Sequence, residues 1–390
     1  MALQIITWLL FFSLLYLLIT SIIFLRNRIE LTSLYAESSL DNQLRVSVCI
    51  PARNEEGSIR NLLQSLKDQD WPNYEVLVMD DQSTDQTFEI AESFQEKYPR
   101  KFFVYKGKEK PANWLGKPWA CHQLFHKSTG EILLFLDADT QIQPGTLRKI
   151  VASFDHYNLD MLTVWPRQKL VTFWEQTIIP VVYYTLLSVL PAIYVYRNPK
   201  WMPSFLRKKM NTKFTAACGQ CLAFRRHAYE TIGGHESVKN QVIEDVELAK
   251  RIKKEGFVLR MFDGIGTVSC RMYHNENEIF EGFRKNFLLG FNNSIFVFIL
   301  MGVLHLIVFV LPFITILISL LTFNRTIFFL SVASIVLILM QRLILAIWFK
   351  MNPLFSFTHP IAVLWFEWLA IVKIRDYFGG TSTNWKGRKV

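Results

Sequence analysis

The sequence predicts an α/β domain built on a mostly parallel sheet and flanked by transmembrane helices. Three observations predict it. Short runs rich in β-branched residues alternate with amphipathic stretches between Leu44 and Val164, and that alternation specifies a parallel sheet. Most of these strands end in polar or acidic clusters. The longest apolar runs lie outside the region, before residue 26 and after residue 294.

The elements follow in chain order. Ala2 to Leu25 carries no charge, and about 24 apolar residues suffice to cross a bilayer. Arg26 and Arg28 come directly after it. A secretory signal has the opposite order, charge first and a cleavage site last, so residues 1–28 read as an uncleaved anchor. The positive-inside rule then places the following chain in the cytoplasm.

Leu44 to Ile50 reads as a strand ending at Pro51-Ala52-Arg53-Asn54-Glu55-Glu56, and the leucines at 62, 63 and 66 have helical spacing. Tyr74 to Met79 is a second strand, ending at Asp80-Asp81-Gln82-Ser83-Thr84-Asp85 before a helix over 87–98. Phe102 to Tyr105 and Glu131 to Leu136 are the third and fourth, the last ending at Asp137-Ala138-Asp139. In sheets of this kind ligands bind beyond the carboxyl ends of the strands.

The domain of 44–291 contains an apolar and aromatic stretch, 171–196, interrupted by Glu175, Pro180 and Pro191. That stretch reads as an interfacial amphipathic segment. Ile295 to Phe323 and Ile327 to Phe349 read as spans. Pro353 to Ile374, interrupted by His359 and Glu367, reads as re-entrant or interfacial, which returns the basic tail of 375–390 to the cytoplasm.

Composition agrees with this division. Charged residues are 19% of the chain and hydrophobic ones 51%, against about 25% charged in soluble domains. A disordered chain, a coiled coil, a collagen-like repeat and an ordinary soluble enzyme are thereby excluded. The formal charge of +10 fits an anionic membrane face or a phosphorylated substrate. Groups such as Arg207-Lys208-Lys209 and Lys253-Lys254 come without any nucleic-acid-binding signature, so nucleic acid is not an expected partner. Five cysteines, an odd number, point to reduced thiols rather than a disulfide framework.

The acidic clusters carry the chemistry. Asp137 and Asp139 are two apart on an extended segment and share a side. A hard divalent cation takes one or two such carboxylates and fills its shell with water and phosphate oxygens. Glu244-Asp245 opens a helical stretch; neighbouring carboxylates raise one another's proton affinity. Gly116-Lys117 enters a helix in a manner suited to phosphate contact, without the glycine spacing of a Walker A loop. Cys218-Gly219-Gln220-Cys221 has redox or zinc spacing but lacks a second pair, and reads as a strand forming an acceptor wall.

Taken in order, Pro51-Ala52-Arg53-Asn54-Glu55, Asp80-Asp81-Gln82-Ser83-x-Asp85, Asp137-Ala138-Asp139 and Ile243-Glu244-Asp245 resemble the inverting family-2 glycosyltransferases. The resemblance covers roughly residues 44–291 and implies a GT-A fold. It also implies that Pro51, Ala52, Arg53 and Glu55 line the nucleotide site, with Asp80 or Asp81 meeting the uracil or ribose. Lys117 and Asp137 would lie in the same site. Asp139 would bind a divalent metal, Mg or Mn, and Asp245, with Glu244 beside it, would be the catalytic base.

Processive synthases of that family carry a Gln-x-x-Arg-Trp motif, and here the comparable region reads Arg271-Met272-Tyr273. Its absence favours one sugar per acceptor. The terminal Trp385-Lys386-Gly387-Arg388 resembles the tail of membrane glycosyltransferases acting on lipids, carotenoid-pathway enzymes included, and gives Lys386 and Arg388 an anion role. The expectation is therefore a membrane enzyme moving a sugar from a nucleotide donor, UDP-linked, to a lipid or isoprenoid/carotenoid acceptor. A processive polysaccharide synthase and an inactive scaffold or transporter are the alternatives.

Overall fold

The computed structural model describes residues 1–36, 44–197, 202–291 and 294–379, together with the short strands Asn384–Trp385 and Arg388–Lys389. The chain divides into two compact units. One comprises Glu30–Lys169 and Ala192–Met272; the other comprises Met1–Ile29, Leu170–Pro191 and Tyr273–Val390.

The first unit is an eight-stranded sheet. Its strands are β1 (Val46–Ala52), β2 (Tyr74–Asp80), β3 (Phe102–Lys106), β4 (Ile132–Leu136), β5 (Thr140–Ile142), β6 (Met161–Gln168), β7 (Cys221–Arg225) and β8 (Leu259–Cys270). The order is β3-β2-β1-β4-β7-β6-β8-β5. The first four pair in parallel, as the β-α-β alternation predicts. Every residue of β2 and of β4 is buried, which is why both read as continuous apolar runs rather than alternating ones.

β7 interrupts the parallel arrangement, running antiparallel to both β4 and β6. That reversal has a positional consequence. The residues just before β7 meet the residues just after β4, because Leu136 pairs with Cys221 and the Asp137 amide donates to the Gln220 carbonyl at 3.2 Å. β6 and β8 are parallel, with a register shift between Pro166 and Arg167 where proline has no N–H to offer the ladder.

At the opposite end of the sheet, Glu75 fastens β1, β2 and the turn before β4. Its carboxylate accepts from Ser47 Oγ at 2.6 Å, Thr129 N at 2.7 Å, Thr129 Oγ1 at 2.8 Å and Arg45 Nη2 at 2.9 Å. Burial disfavours the ionised form, but these donors outweigh it and hold Glu75 below the usual glutamate range.

The second unit is helical. Among the described residues, Ala2–Glu30 and Arg325–Trp348 are long and apolar enough to cross a membrane. The run expected as one span from Ile295 to Phe323 is instead two helices, Ile295–Phe309 and Leu311–Thr322. Pro312 explains the break, since its ring and missing N–H prevent continuation of the helical ladder. His359–Gly379 carries Glu367, Lys373, Arg375 and Asp376 and does not reach spanning composition.

Helix Phe173–Val189 starts with a complete capping box between Thr172 and Glu175, and residues 177–181 are buried in succession. Its last turn is completed by Asn27, whose amide donates to Leu187 O at 2.7 Å and Leu190 O at 2.6 Å. Those carbonyls would otherwise be orphaned at the helix end.

Glu75→Gln is expected to destabilise the sheet unit by about 1–3 kcal/mol, the usual weight of a charge-assisted hydrogen bond left partly unmade. Because the folded-state affinity for protons is lowered, this stabilisation is full at neutral pH. It is lost as pH falls through and below about 4, the unfolded value. Denaturant unfolding of wild type and variant at pH 7 and at pH 4 should show the gap narrowing.

Candidate active site

The site is assembled where β1, β2 and β4 end. Two loops are laced together first. Arg53 Nη1 donates to the carbonyls of Asp81 at 2.5 Å and Gln82 at 2.9 Å. Asn54 N donates to Ser83 Oγ at 3.0 Å, and Thr84 N to Asn54 Oδ1 at 2.8 Å. Asn54 and Gln82 both take positive φ, 51° and 58°, so each loop turns sharply as it leaves its strand.

Asp85 receives Glu56 N, Thr87 N and Thr87 Oγ1. Burial opposes its charge, but these hydrogen bonds prevail and keep it below the normal aspartate range. Asp85 is thus a loop staple. Glu55 bonds Ser58 Oγ at 2.7 Å within its own helix start. Pro51 and Ala52 close β1 beside Met79 and Asp80 of β2. Asp80 and Asp81 are both buried. Asp80 Oδ2 accepts from Ser83 N at 3.3 Å, while Oδ1 has no hydrogen-bond partner among the described residues.

The second half of the site centres on Lys117, at the start of helix Gly116–Lys127. Its ammonium lies 2.7 Å from Asp137 Oδ1 and 3.0 Å from Glu244 Oε1. Burial alone would lower its proton affinity, but Asp137 and Glu244 more than offset that and hold it well above the lysine range. Lys117 is therefore a fixed cation joining the end of β4 to the start of helix Glu244–Lys254.

Asp245 occupies the first turn of that helix. Its Oδ2 accepts from Gly219 N at 2.7 Å and its Oδ1 from Val246 N at 2.8 Å. Burial and then the adjacent Glu244 raise its pKa to about 7, while Lys117 and the two amides pull the other way. Space at Gly219 is tight: a Cβ there would meet Asp245 Oδ2 at 3.1 Å and Lys117 Nζ at 3.2 Å. The far end of the helix is tied down by Lys253, which donates to the carbonyls of Tyr194 at 2.7 Å and Phe214 at 3.0 Å.

Beside Asp139 runs a chain of soft and amide groups. Gln168 Nε2 donates to Gln220 Oε1 at 3.0 Å, and Gln220 Nε2 reaches Cys270 Sγ at 2.9 Å. Burial, then Asp139 and Asp137, push the Cys270 thiol well up, so it stays protonated. All five cysteines are free. Among the described residues no three His, Cys, Asp or Glu side chains are grouped to hold a metal ion. With Asp137 engaged by Lys117, the donor set fits a hard cation taking Asp139 plus oxygens from water and a diphosphate.

Three features escape a reading of the sequence. Gly219 as a donor to Asp245 and Gln220 as the link to Cys270 depend on chain reversal at β7, and Lys253 as an anchor depends on the carbonyls of Tyr194 and Phe214, both distant in sequence. Trp114 and Trp119 pack on each other, with ring centroids 5.0 Å apart. His235, isolated in sequence, is buried and lies 2.6 Å from the Tyr229 hydroxyl through Nδ1. His274 pairs with Glu278 at 3.3 Å. Lys386 lies outside the described residues, as does the side chain of Arg388.

With this geometry in place, the chain was compared with known proteins. Residues 47–233 match the Glycosyl transferase family 2 pattern. The chain carries a glycosyl transferase family 2 domain. The family 2 assignment brings with it the GT-A fold. A mannosyltransferase from Pyrobaculum calidifontis, solved in complex with GDP-Man and Mn2+, shares that fold. Its TM-score is 0.52 at 16% identity, covering 92% of this chain and 99% of that one.

Two curated relatives bear the name 4,4'-diaponeurosporenoate glycosyltransferase. The one from Staphylococcus haemolyticus is 27% identical over 271 residues, 69% of this chain and 68% of the relative. The one from Staphylococcus aureus is 28% identical over 257 residues, 64% of this chain and 62% of the relative. The second alignment thus spans less than two thirds of that relative's length. The family 2 match supports a glycosyltransferase reading of residues 47–233.

Removing the Lys117 charge should raise the proton affinity of Asp245, because Lys117 is the largest influence opposing its protonation. In Lys117→Met the Asp245 carboxyl, followed by carbon-13 NMR across a pH series, is expected to titrate above its wild-type midpoint of about 7.

Proposed function

We propose that this glycosyltransferase moves one sugar from a UDP-sugar to a membrane lipid or isoprenoid/carotenoid acceptor, inverting the anomeric carbon. We further propose that it is a multi-pass protein of the cell membrane with its catalytic domain in the cytoplasm. The observation that carries the reading is Asp245, held by two backbone amides and carrying a pKa raised to about 7.

A general base works best when its pKa lies near the operating pH. Asp245 has that property and a fixed orientation. It would take the proton of the acceptor hydroxyl as the oxygen attacks the anomeric carbon. Glu244 keeps the proton affinity of Asp245 high, and Lys117 restrains it. Lys117, with Asp137 as its counter-ion, would face the donor diphosphate.

Pro51, Ala52, Arg53 and Glu55 would shape the nucleotide cradle. The laced loops support this, since Arg53 fixes the backbone of Asp81 and Gln82. Asp80, with one buried oxygen lacking a partner among the described residues, suits the N–H or hydroxyl of a base or ribose. Asp139 would hold the divalent metal. When bound, that metal would neutralise charge on the leaving diphosphate.

The membrane placement is supported by two helices of spanning length and by Arg26 and Arg28 after the first apolar run. The acceptor class is supported by the names of the two staphylococcal relatives. Transfer of one sugar per acceptor is supported by the missing Gln-x-x-Arg-Trp motif.

Asp245→Asn should lower kcat by about 100- to 10,000-fold, the usual weight of general-base catalysis, with donor affinity retained. For a hydroxyl acceptor, wild-type kcat/KM should rise with pH through about 7 as Asp245 loses its proton, and the variant should lose that limb. Near-normal turnover of Asp245→Asn would overturn the base assignment. Asp139→Ala should abolish the Mn²⁺ dependence of UDP-sugar binding, read by calorimetry with and without the ion.

A further inference from the structure

Strand ends meet beside Asp139. Cys270, the last residue of β8, is paired with Thr140 of β5 on one side and Gln168 of β6 on the other. Asp139 directly precedes Thr140, and Gln220 directly precedes β7. Gln168 and Gln220 are each 4% exposed and Cys270 is 1% exposed, so their polar atoms need partners inside the protein.

The partners they take run in one direction. Gln168 Nε2 donates to Gln220 Oε1 at 3.0 Å, and Gln220 Nε2 donates to Cys270 Sγ at 2.9 Å. The sulfur, having accepted there, has its single hydrogen left to donate, and its side-chain partner is Asp139. Every donor in the chain therefore points toward the carboxylate, and hydrogen bonds so aligned polarise one another. A chain that only satisfied buried amides could end on any backbone carbonyl. This one ends on a carboxylate at the turn that follows β4.

A thiol suits that last place. It is a weak donor, and an ionised carboxylate has roughly four lone-pair sites. Cys270 can therefore fix the rotation of Asp139 and leave lone pairs for a cation. Asp137 is held differently, by the Lys117 ammonium at 2.7 Å.

We propose that Gln168, Gln220 and Cys270 are positioning residues that hold the Asp139 carboxylate in the orientation a divalent cation needs. Groups that hydrogen-bond a metal ligand orient it, and their loss typically lowers metal affinity by about 10- to 100-fold. The proposal rests on the reading of Asp139 as the metal ligand and adds three residues that act through it.

Two readouts on the full chain in detergent test it. The first needs no metal. The S–H stretching band of Cys270, identified in the infrared spectrum by its loss in Cys270→Ser, should lie below that of a thiol without a hydrogen bond and should move up in Asp139→Ala. A wild-type band at the free-thiol position, or one that Asp139→Ala leaves in place, would overturn the relay.

The second is Mn²⁺ affinity in the presence of UDP, read from the electron paramagnetic resonance of the free ion. Cys270→Ala and Gln220→Met should each weaken it by about 10- to 100-fold. Cys270→Ser, which keeps a donor of similar size, should stay close to wild type. Metal-free UDP affinity should not move in any of the three, whereas a general loss of fold would lower it. Unchanged Mn²⁺ affinity in Cys270→Ala, or a loss in Cys270→Ser as deep as in Cys270→Ala, would overturn the positioning role. Asp139→Ala separates the two readings. If wild type binds no Mn²⁺, or Asp139→Ala leaves its affinity intact, the metal assignment fails and this proposal with it. If Asp139→Ala abolishes binding while Cys270→Ala and Gln220→Met do not weaken it, the positioning role alone fails.

Discussion

One ammonium group holds the carboxyl end of β4 and the segments that meet it together. Asp137 arrives from the end of β4, and Glu244 and Asp245 arrive from the start of a helix more than a hundred residues later. Three carboxylates brought this close repel, and their convergence requires a cation among them. Lys117 meets two of them at 2.7 and 3.0 Å and leaves the third, Asp245, to backbone amides. That division of labour matters chemically. A carboxylate held by amides and crowded by a neighbouring carboxylate retains a usable affinity for protons.

The reversal at β7 makes this arrangement accessible. In an all-parallel sheet only strand C-termini and their following loops face the ligand crevice. By running antiparallel between β4 and β6, β7 brings the residues that precede it to the same edge. Gly219 then offers its amide to Asp245, and its lack of a side chain leaves room for both Asp245 and Lys117. The side formed after β1 and β2 is built differently, from two loops with positive-φ turns joined by side-chain-to-backbone hydrogen bonds. Rigidity there comes from local lacing, and around Lys117 from ion pairs and long-range connectivity.

The helical unit shows how an apolar composition conceals polar design. The run from Ile295 to Phe323 has a uniform hydropathy that predicts one span, yet Pro312 divides it. Buried polar groups elsewhere have defined tasks: Asn27 completes the end of helix Phe173–Val189, and Thr315 lies 2.8 Å from Ser331 across two helices. Other buried polar atoms of this unit have no hydrogen-bond partner among the described residues, Arg342 Nε and Nη1, Ser334 Oγ, Ser356 Oγ and both His359 ring nitrogens among them.

The sequence by itself determined the parallel half of the sheet and the residues at its edge. β1 to β4 are short apolar runs between strong turn residues, and the acidic clusters follow them at once, so local patterning is enough. The same holds for the first long apolar helix, whose apolar run is uninterrupted by charge. Of the four later strands only β7 is anticipated, as a strand over Cys218–Cys221, and it begins instead at Cys221. β5 has three residues, β6 contains a proline, and β7 and β8 gain their identity from partners distant in sequence. Only the tertiary structure decided that Lys117 pairs with Asp137 and Glu244, that Gly219 holds Asp245, and that Gln220 reaches Cys270. Each depends on which distant residues share a small volume, and charge, spacing and hydropathy along a chain do not encode that proximity until the strands have paired and the helices have packed.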